Sequence, residues 1–199
     1  MTSPFQYPQA KHLRVLKPRP FARYQQFKPA LRSEFGKKCV YCRTPDSVRG
    51  YAGFGVDHYR PKHAFPQLQT TYSNLFYCCN QCNSRKGGYW AERPQERVPN
   101  PCDDEMHRHV RFARAEVQAR SHRGTVMLDL LDLNDPDVVQ MRRAVEQTLV
   151  LCARTVGQIQ ATLASLEQLA DSEERSAAVL KLQEEKTKVL ATIEFWMGR

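Results

Sequence analysis

An α+β fold is predicted: a small strand–strand–helix core held by four cysteines, followed by a C-terminal antiparallel helical hairpin. Three observations predict it. Two Cys-x-x-Cys pairs, Cys39/Cys42 and Cys79/Cys82, are separated by 36 residues. Around and between them lie two short apolar runs, Tyr51 to Asp57 and Asn74 to Cys78, then a polar segment, Asn80 to Lys86, that Gly87-Gly88 stops. Further on, Val145, Leu149, Cys152, Val156, Ile159, Leu163 and Leu166 step alternately by 4 and 3, the spacing of a heptad seam.

Taken in order, residues 1–36 form a basic arm and a short helix. Pro4, Pro8, Pro18 and Pro20 among Lys11, Arg14, Lys17, Arg19 and Arg23 make the arm irregular, either a mobile leader or a strap along a phosphate backbone. Pro29 suits the first turn of a helix through Phe35 that Gly36 ends. Residues 37–98 are the core. Val40 and Tyr41 sit in a tight turn, Gly53 and Gly55 weaken the first strand, and Pro61 and Pro66 mark a loop from Arg60 to Thr71. Residues 99–134 form a connecting layer, with a hairpin over His109–Phe112 and Glu116–Ala119 and a buried helix over Thr125–Leu131. Residues 135–199 are the helical hairpin. Asn134 or Asp135 caps it, Asp171-Ser172 breaks it, and Val179, Leu182, Lys186, Val189, Ile193 and Trp196 carry the seam back. The hairpin is expected to pack on itself, with a homo-oligomer or partner interface as the alternative.

The chain has 199 residues and a formal charge of +9. Residues 1–100 hold 17 Lys/Arg against 5 Asp/Glu, and residues 101–199 hold 13 against 16. A basic half beside a slightly acidic one points to a phosphate-rich partner such as DNA. No run of about 18 apolar residues occurs and Met1-Thr2-Ser3-Pro4 lacks the order of a secretion signal, so no membrane role and a cytoplasmic location are expected. In a reducing compartment, paired cysteines read as metal ligands rather than disulfides.

Four thiolates from two tight turns close a tetrahedral zinc shell, which makes the predicted ion structural. The spacing exceeds that of an ordinary zinc finger, so something must fold between the pairs. Cys78 lacks the two-residue spacing and is left out, as are Cys102 and Cys152. The sequence between the pairs holds Asp57-His58, and Asn74 and Asn83 follow. Hard oxygen donors suit a magnesium or manganese ion, and an imidazole can activate water near neutral pH. Adjacent strand residues face opposite ways, so Asp57 and His58 can share a cleft only where the strand ends.

Cys39-Val-Tyr-Cys42, Val56-Asp57-His58-Tyr-Arg-Pro-Lys62, Tyr72-Ser-Asn74-Leu75 and Cys79-Asn-Gln-Cys82-Asn83-Ser-Arg-Lys86-Gly87 together resemble the HNH, or ββα-metal, endonuclease family over about residues 36–90. The resemblance implies a metal-dependent endonuclease that hydrolyses DNA. It makes His58 the general base, Asp57 and Asn83 the ligands of a catalytic Mg2+ or Mn2+, and Asn74 the brace of the loop that aims His58. Arg60, Lys62, Arg85 and Lys86 would meet flanking phosphates. Asn83 stands where many members carry a histidine. Asp57 to Lys62 with Phe65-Pro66, and Leu131-Asp-Leu-Asn134 with a later Arg142 or Arg143, resemble the HNH subset that includes the nuclease subunits of Septu-type antiphage systems, whose members work beside an ATPase subunit. The alternative is a non-catalytic, zinc-stabilised nucleic-acid-binding module. His63 reads as a loop histidine, and His107, His109 and His122 receive no role.

Overall fold

The computed structural model describes residues 3–198; Met1 and Thr2 of the arm and Arg199 of the last segment lie outside the described residues. In chain order the elements are α1 (Lys28–Glu34), α2 (Asp46–Arg49), β1 (Phe54–His58), β2 (Leu75–Cys79), α3 (Asn80–Lys86), α4 (Met106–His109), β3 (Val110–Ala113), β4 (Glu116–Ala119), α5 (His122–Leu130), α6 (Pro136–Glu167) and α7 (Glu173–Met197). The class is α+β, with two separate two-stranded antiparallel sheets.

β1 and β2 pair from Phe54↔Cys79 to His58↔Leu75. β1 begins three residues later than its apolar run, because Tyr51–Gly53 forms a 3-10 turn. Gly55 has a purpose there. A Cβ on it would lie 3.3 Å from Asn80 Oδ1 and 3.5 Å from Asn83 Nδ2, so its absence lets α3 close onto the strand. α3 spans the predicted residues, and Gly87 ends it at φ +50°, a conformation that favours glycine.

The arm is irregular, as its prolines dictate, but it is seated rather than loose. Phe5 packs with Val145, Leu149 and Met197, and Tyr7 enters the main core. The backbone N–H groups of Val15 and Leu16 donate to the buried Glu34 carboxylate at 2.8 and 3.2 Å. The Arg14 guanidinium lies 4.7–5.0 Å from the rings of Phe35, Phe76 and Tyr72, and it donates to the Leu75 carbonyl at 2.6 Å. Apolar anchors and satisfied backbone groups thus outweigh the entropy of a free leader.

In the connecting layer, β3 and β4 form the predicted hairpin. Asp135 caps α6, accepting from the N–H groups of Asp137 and Val138. Asn134 instead grips β4, exchanging two hydrogen bonds with the Val117 backbone at 2.8 and 2.9 Å. Arg142, fully buried, donates to the carbonyls of Ala115 and Leu133 at 3.0 and 2.9 Å. Met197 at the end of α7 clusters with Val145 and Leu149 near the start of α6, so α7 runs back along α6. Ile159 is buried in the seam, and Val156, Leu163, Leu166, Val179, Leu182 and Val189 are half-buried. By length and composition alone α6 would also pass as a membrane span.

Candidate active site

The first turn, Cys39 to Thr44, closes through Cys39 N–H to the Thr44 carbonyl at 3.0 Å, and Arg43 adopts φ +59° within it. Val40 N–H donates to the Tyr77 carbonyl at 3.1 Å, fixing the turn to β2. The second pair straddles the start of α3, where Cys79 is the N-cap. Folding brings the sulfur atoms of Cys39, Cys42, Cys79 and Cys82 within 4.8 Å of one another, all buried. Cys42 Sγ and Cys79 Sγ are 3.7 Å apart. A tetrahedron with metal–sulfur bonds of about 2.3 Å has edges of about 3.8 Å, so the cluster fits a four-thiolate metal centre. Thiol hydrogen bonds from Cys39, Cys42, Cys78 and Cys82 hold the Cys79 thiol well below its ordinary range. Cys78 lies 4.0 Å from Cys39 Sγ but is outside the four-ligand group.

The same strands and helix wall a second, open feature. A cavity of about 410 Å³ is lined by Asp57, His58, Asn83 and Ser84, by Lys62 and His63 from the loop, and by Tyr24 from the arm. His58 is the last residue of β1, so it and Asp57 both reach this wall although they take different partners. The His58 Nε2 atom is 2.9 Å from the Gln69 carbonyl oxygen. A carbonyl only accepts, so Nε2 carries the hydrogen and Nδ1 keeps the free lone pair of the neutral ring. The Tyr24 ring meets His58 edge-on at 4.6 Å. Burial lowers the His58 pKa from its ordinary value; Lys62 and Lys86 add to the fall, while the Gln69 carbonyl and Asp57 oppose it.

Asn74 spans the intervening loop. Its Oδ1 accepts from Arg60 N–H at 2.9 Å, and its Nδ2 donates to the carbonyls of Arg60 and Leu68 at 3.0 and 3.3 Å. The loop that presents Gln69 to His58 therefore hangs on one amide. Asn83 faces the cavity from α3, on the side shared with Asn80, Ser84 and Gly87 at helical spacing.

Asp57 is more heavily engaged than its sequence position implies. Tyr41 donates its hydroxyl to Oδ2 at 2.6 Å, and Lys86 Nζ donates to Oδ1 at 3.1 Å and to the His58 carbonyl at 2.8 Å. This corrects the expectation that Lys86 meets phosphate: it is buried and neutralises a buried carboxylate. Arg85 is corrected likewise. It donates to the carbonyls of Leu131 and Asp132 and pairs with Asp135 at 2.6 Å, tying α3 to the connecting layer. Arg60 and Lys62 remain exposed. Arg60 lies near the rings of Phe65 and Trp90, and Lys62 Nζ is 5.5 Å from the Tyr24 ring. Tyr24, Tyr41 and the Gln69 carbonyl escaped sequence reasoning, and no spacing in the chain announces them.

A two-stranded antiparallel sheet, a following helix, a four-cysteine cluster and an Asp-His pair at a strand end define a ββα-metal unit. The HNH endonuclease family matches residues 39–88. The chain is 28% identical over 137 residues to the Septu protein PtuB of Bacillus thuringiensis, an alignment covering 68% of this chain and 50% of that protein. The chain thus spans about half the length of the curated relative it matches. No solved structure matches it significantly. Residues 39–88 are thus similar to HNH endonuclease domains, in a chain with a Septu-type relative.

Proposed function

We propose that the chain is a metal-dependent HNH endonuclease that hydrolyses DNA phosphodiesters. The observation that carries this reading is the His58 tautomer. With Nε2–H committed to Gln69, Nδ1 is left as a neutral base on the wall of a cavity that Asp57 and Asn83 also line. Its lowered pKa keeps that base unprotonated near neutral pH. Nδ1 would take the proton of the attacking water, and Asn74 would act as the positioning residue, holding the loop that holds the ring. Asp57 and Asn83 offer a carboxylate and an amide, a donor set suited to Mg2+ or Mn2+, and such an ion would supply Lewis acidity to the charge developing on phosphate. Lys86 and Tyr41 fix the Asp57 carboxylate from the protein side. Exposed Arg60 and Lys62 would meet the flanking phosphates. Zinc is the proposed ion of the four cysteines, with a structural role.

The similarity to a Septu protein supports a role in antiphage defence, with an ATPase subunit as partner and the α6/α7 pair, taken as a hairpin, as its docking element. Nicking of supercoiled plasmid tests the core of the reading. Cleavage should require added magnesium or manganese, stop with EDTA, and vanish in His58→Ala with fold and zinc content retained. A second reading, a zinc-stabilised DNA-binding module, draws on Asp57 already being paired with Lys86. Salt-sensitive binding without cleavage under either cation would select it.

A further inference from the structure

We propose that His63 is a second catalytic residue of this cavity, the group that gives a proton to the oxygen leaving phosphorus. The inference rests on the hydrolase reading above.

After β1 the chain turns sharply. The N–H groups of Ala64 and Phe65 both donate to the Pro61 carbonyl, at 3.1 and 2.9 Å. Pro61 is buried, and the Phe65 ring packs edge-on against Trp90 at 5.3 Å. The turn is therefore anchored at both ends and carries His63 back over the end of α3. There the imidazole has a seat. A Cβ on Gly88 would fall 2.6 Å from His63 Cε1 and 3.1 Å from Nδ1, so the ring occupies the space that a side chain at position 88 would take. Gly87 is needed for its positive φ; Gly88 has no such need, and its bareness serves the His63 ring. Seated this way, His63 faces the same cavity as Asp57, His58 and Asn83.

The reaction needs two proton-handling groups. The water oxygen forms a bond to phosphorus and its proton goes to His58 Nδ1. The phosphorus–oxygen bond to the leaving alcohol breaks, and that oxygen, a strong base as an alkoxide, takes a proton. Imidazole is the side chain that can hold such a proton and release it near neutrality. His63 donates it, and the two rings exchange protons with solvent to restore the starting state.

Leaving-group dependence is the test. The full chain with manganese is assayed on supercoiled plasmid and on bis(p-nitrophenyl) phosphate, whose nitrophenolate departs without a proton. His63→Ala should slow plasmid cleavage by about 10²–10³-fold and nitrophenyl ester cleavage by less than about threefold, whereas His58→Ala slows both. Gly88→Ala keeps the imidazole but takes its seat. It should slow plasmid cleavage selectively, and adding it to His63→Ala should cost nothing further. If His63→Ala slows both substrates equally, or neither, the acid role is overturned. If the unmutated protein cleaves neither substrate, the hydrolase reading itself fails and this inference falls with it.

Discussion

The sulfur cluster and the open cavity are built on overlapping elements, yet their chemistry is opposite. Cys79 and Cys82 lie at the start of α3, and Asn83 follows them by one position on a different side of the same helix. The cluster is buried, and its four sulfur atoms converge within 4.8 Å of one another. The cavity is open, and its polar groups take several different partners, Asp57 taking Lys86 of α3 and Tyr41, and His58 the Gln69 carbonyl of the intervening loop and the Tyr24 ring of the arm. The difference teaches how a unit this small can hold a reactive site. One side supplies the rigidity, and the other can hold an imidazole and a paired, buried carboxylate at the wall of an open cavity.

Breaking the rigid side should have the largest effect. Cys79→Ser should lose the metal proposed for the cluster and, with it, the cooperative unfolding of the core. Structural zinc contributes about 10–16 kcal/mol in small peptides, comparable with the whole margin of about 5–15 kcal/mol that holds a domain folded. Metal content and thermal melting check this, and a folded variant with full metal content would remove the structural role. Breaking the open side should leave the fold alone. His58→Ala should lower plasmid nicking by about 10²–10⁴-fold with an unchanged melting curve. Asn74→Ala falls between the two, because the side chain belongs to the scaffold of one and the aim of the other. It leaves backbone groups of Arg60 and Leu68 unpaired, so a loss of about 1–3 kcal/mol in stability should accompany a loss of nicking.

The smallest effects sharpen the comparison from further away. Ile159→Ala in the α6/α7 seam should cost about 2 kcal/mol, read by chemical denaturation, and leave nicking untouched. Glu34 provides a pH probe of the strap that carries Tyr24 toward His58. Burial pushes its carboxyl up, but the N–H groups of Val15 and Leu16, the Tyr72 hydroxyl and Arg14 outweigh this, and its pKa lies below the ordinary value. A depressed carboxyl stabilises fully above its unfolded pKa of about 4.3 and loses that stabilisation as pH falls through the folded value. Stability of the unmutated protein should therefore fall more steeply below about pH 4.3 than that of Glu34→Gln. Parallel curves would show that the strap is held by its aromatic contacts instead.

The four cysteines were legible because tetrahedral coordination imposes a spacing on the chain itself. The α3 boundaries were legible because Gly87 stops a short polar run. Arg85 and Lys86 were misread because charge was taken for exposure. Helical phase held the correction: Lys86 lies four residues after the buried Cys82, so it shares the inward side. The arm's seating on the core was missed for a related reason, since it was read as either a mobile leader or a strap along a phosphate backbone. Its prolines and basic residues describe its backbone, whereas its anchors, Phe5 and Tyr7, find partners more than 30 residues away, which no local pattern encodes. The cavity's composition depends on such distant partners throughout, so its Asp57, His58 and Asn83 could be named from sequence while Tyr24 and the Gln69 carbonyl could not.

Phe5 and Met197 meet in one small cluster, with Val145 and Leu149 between them. A force applied to the two ends of the chain would therefore load that cluster before reaching the cysteine-bearing core. In an optical trap the earliest rupture should free α7 and the first residues together, leaving the cysteine-bound region as the last part to yield.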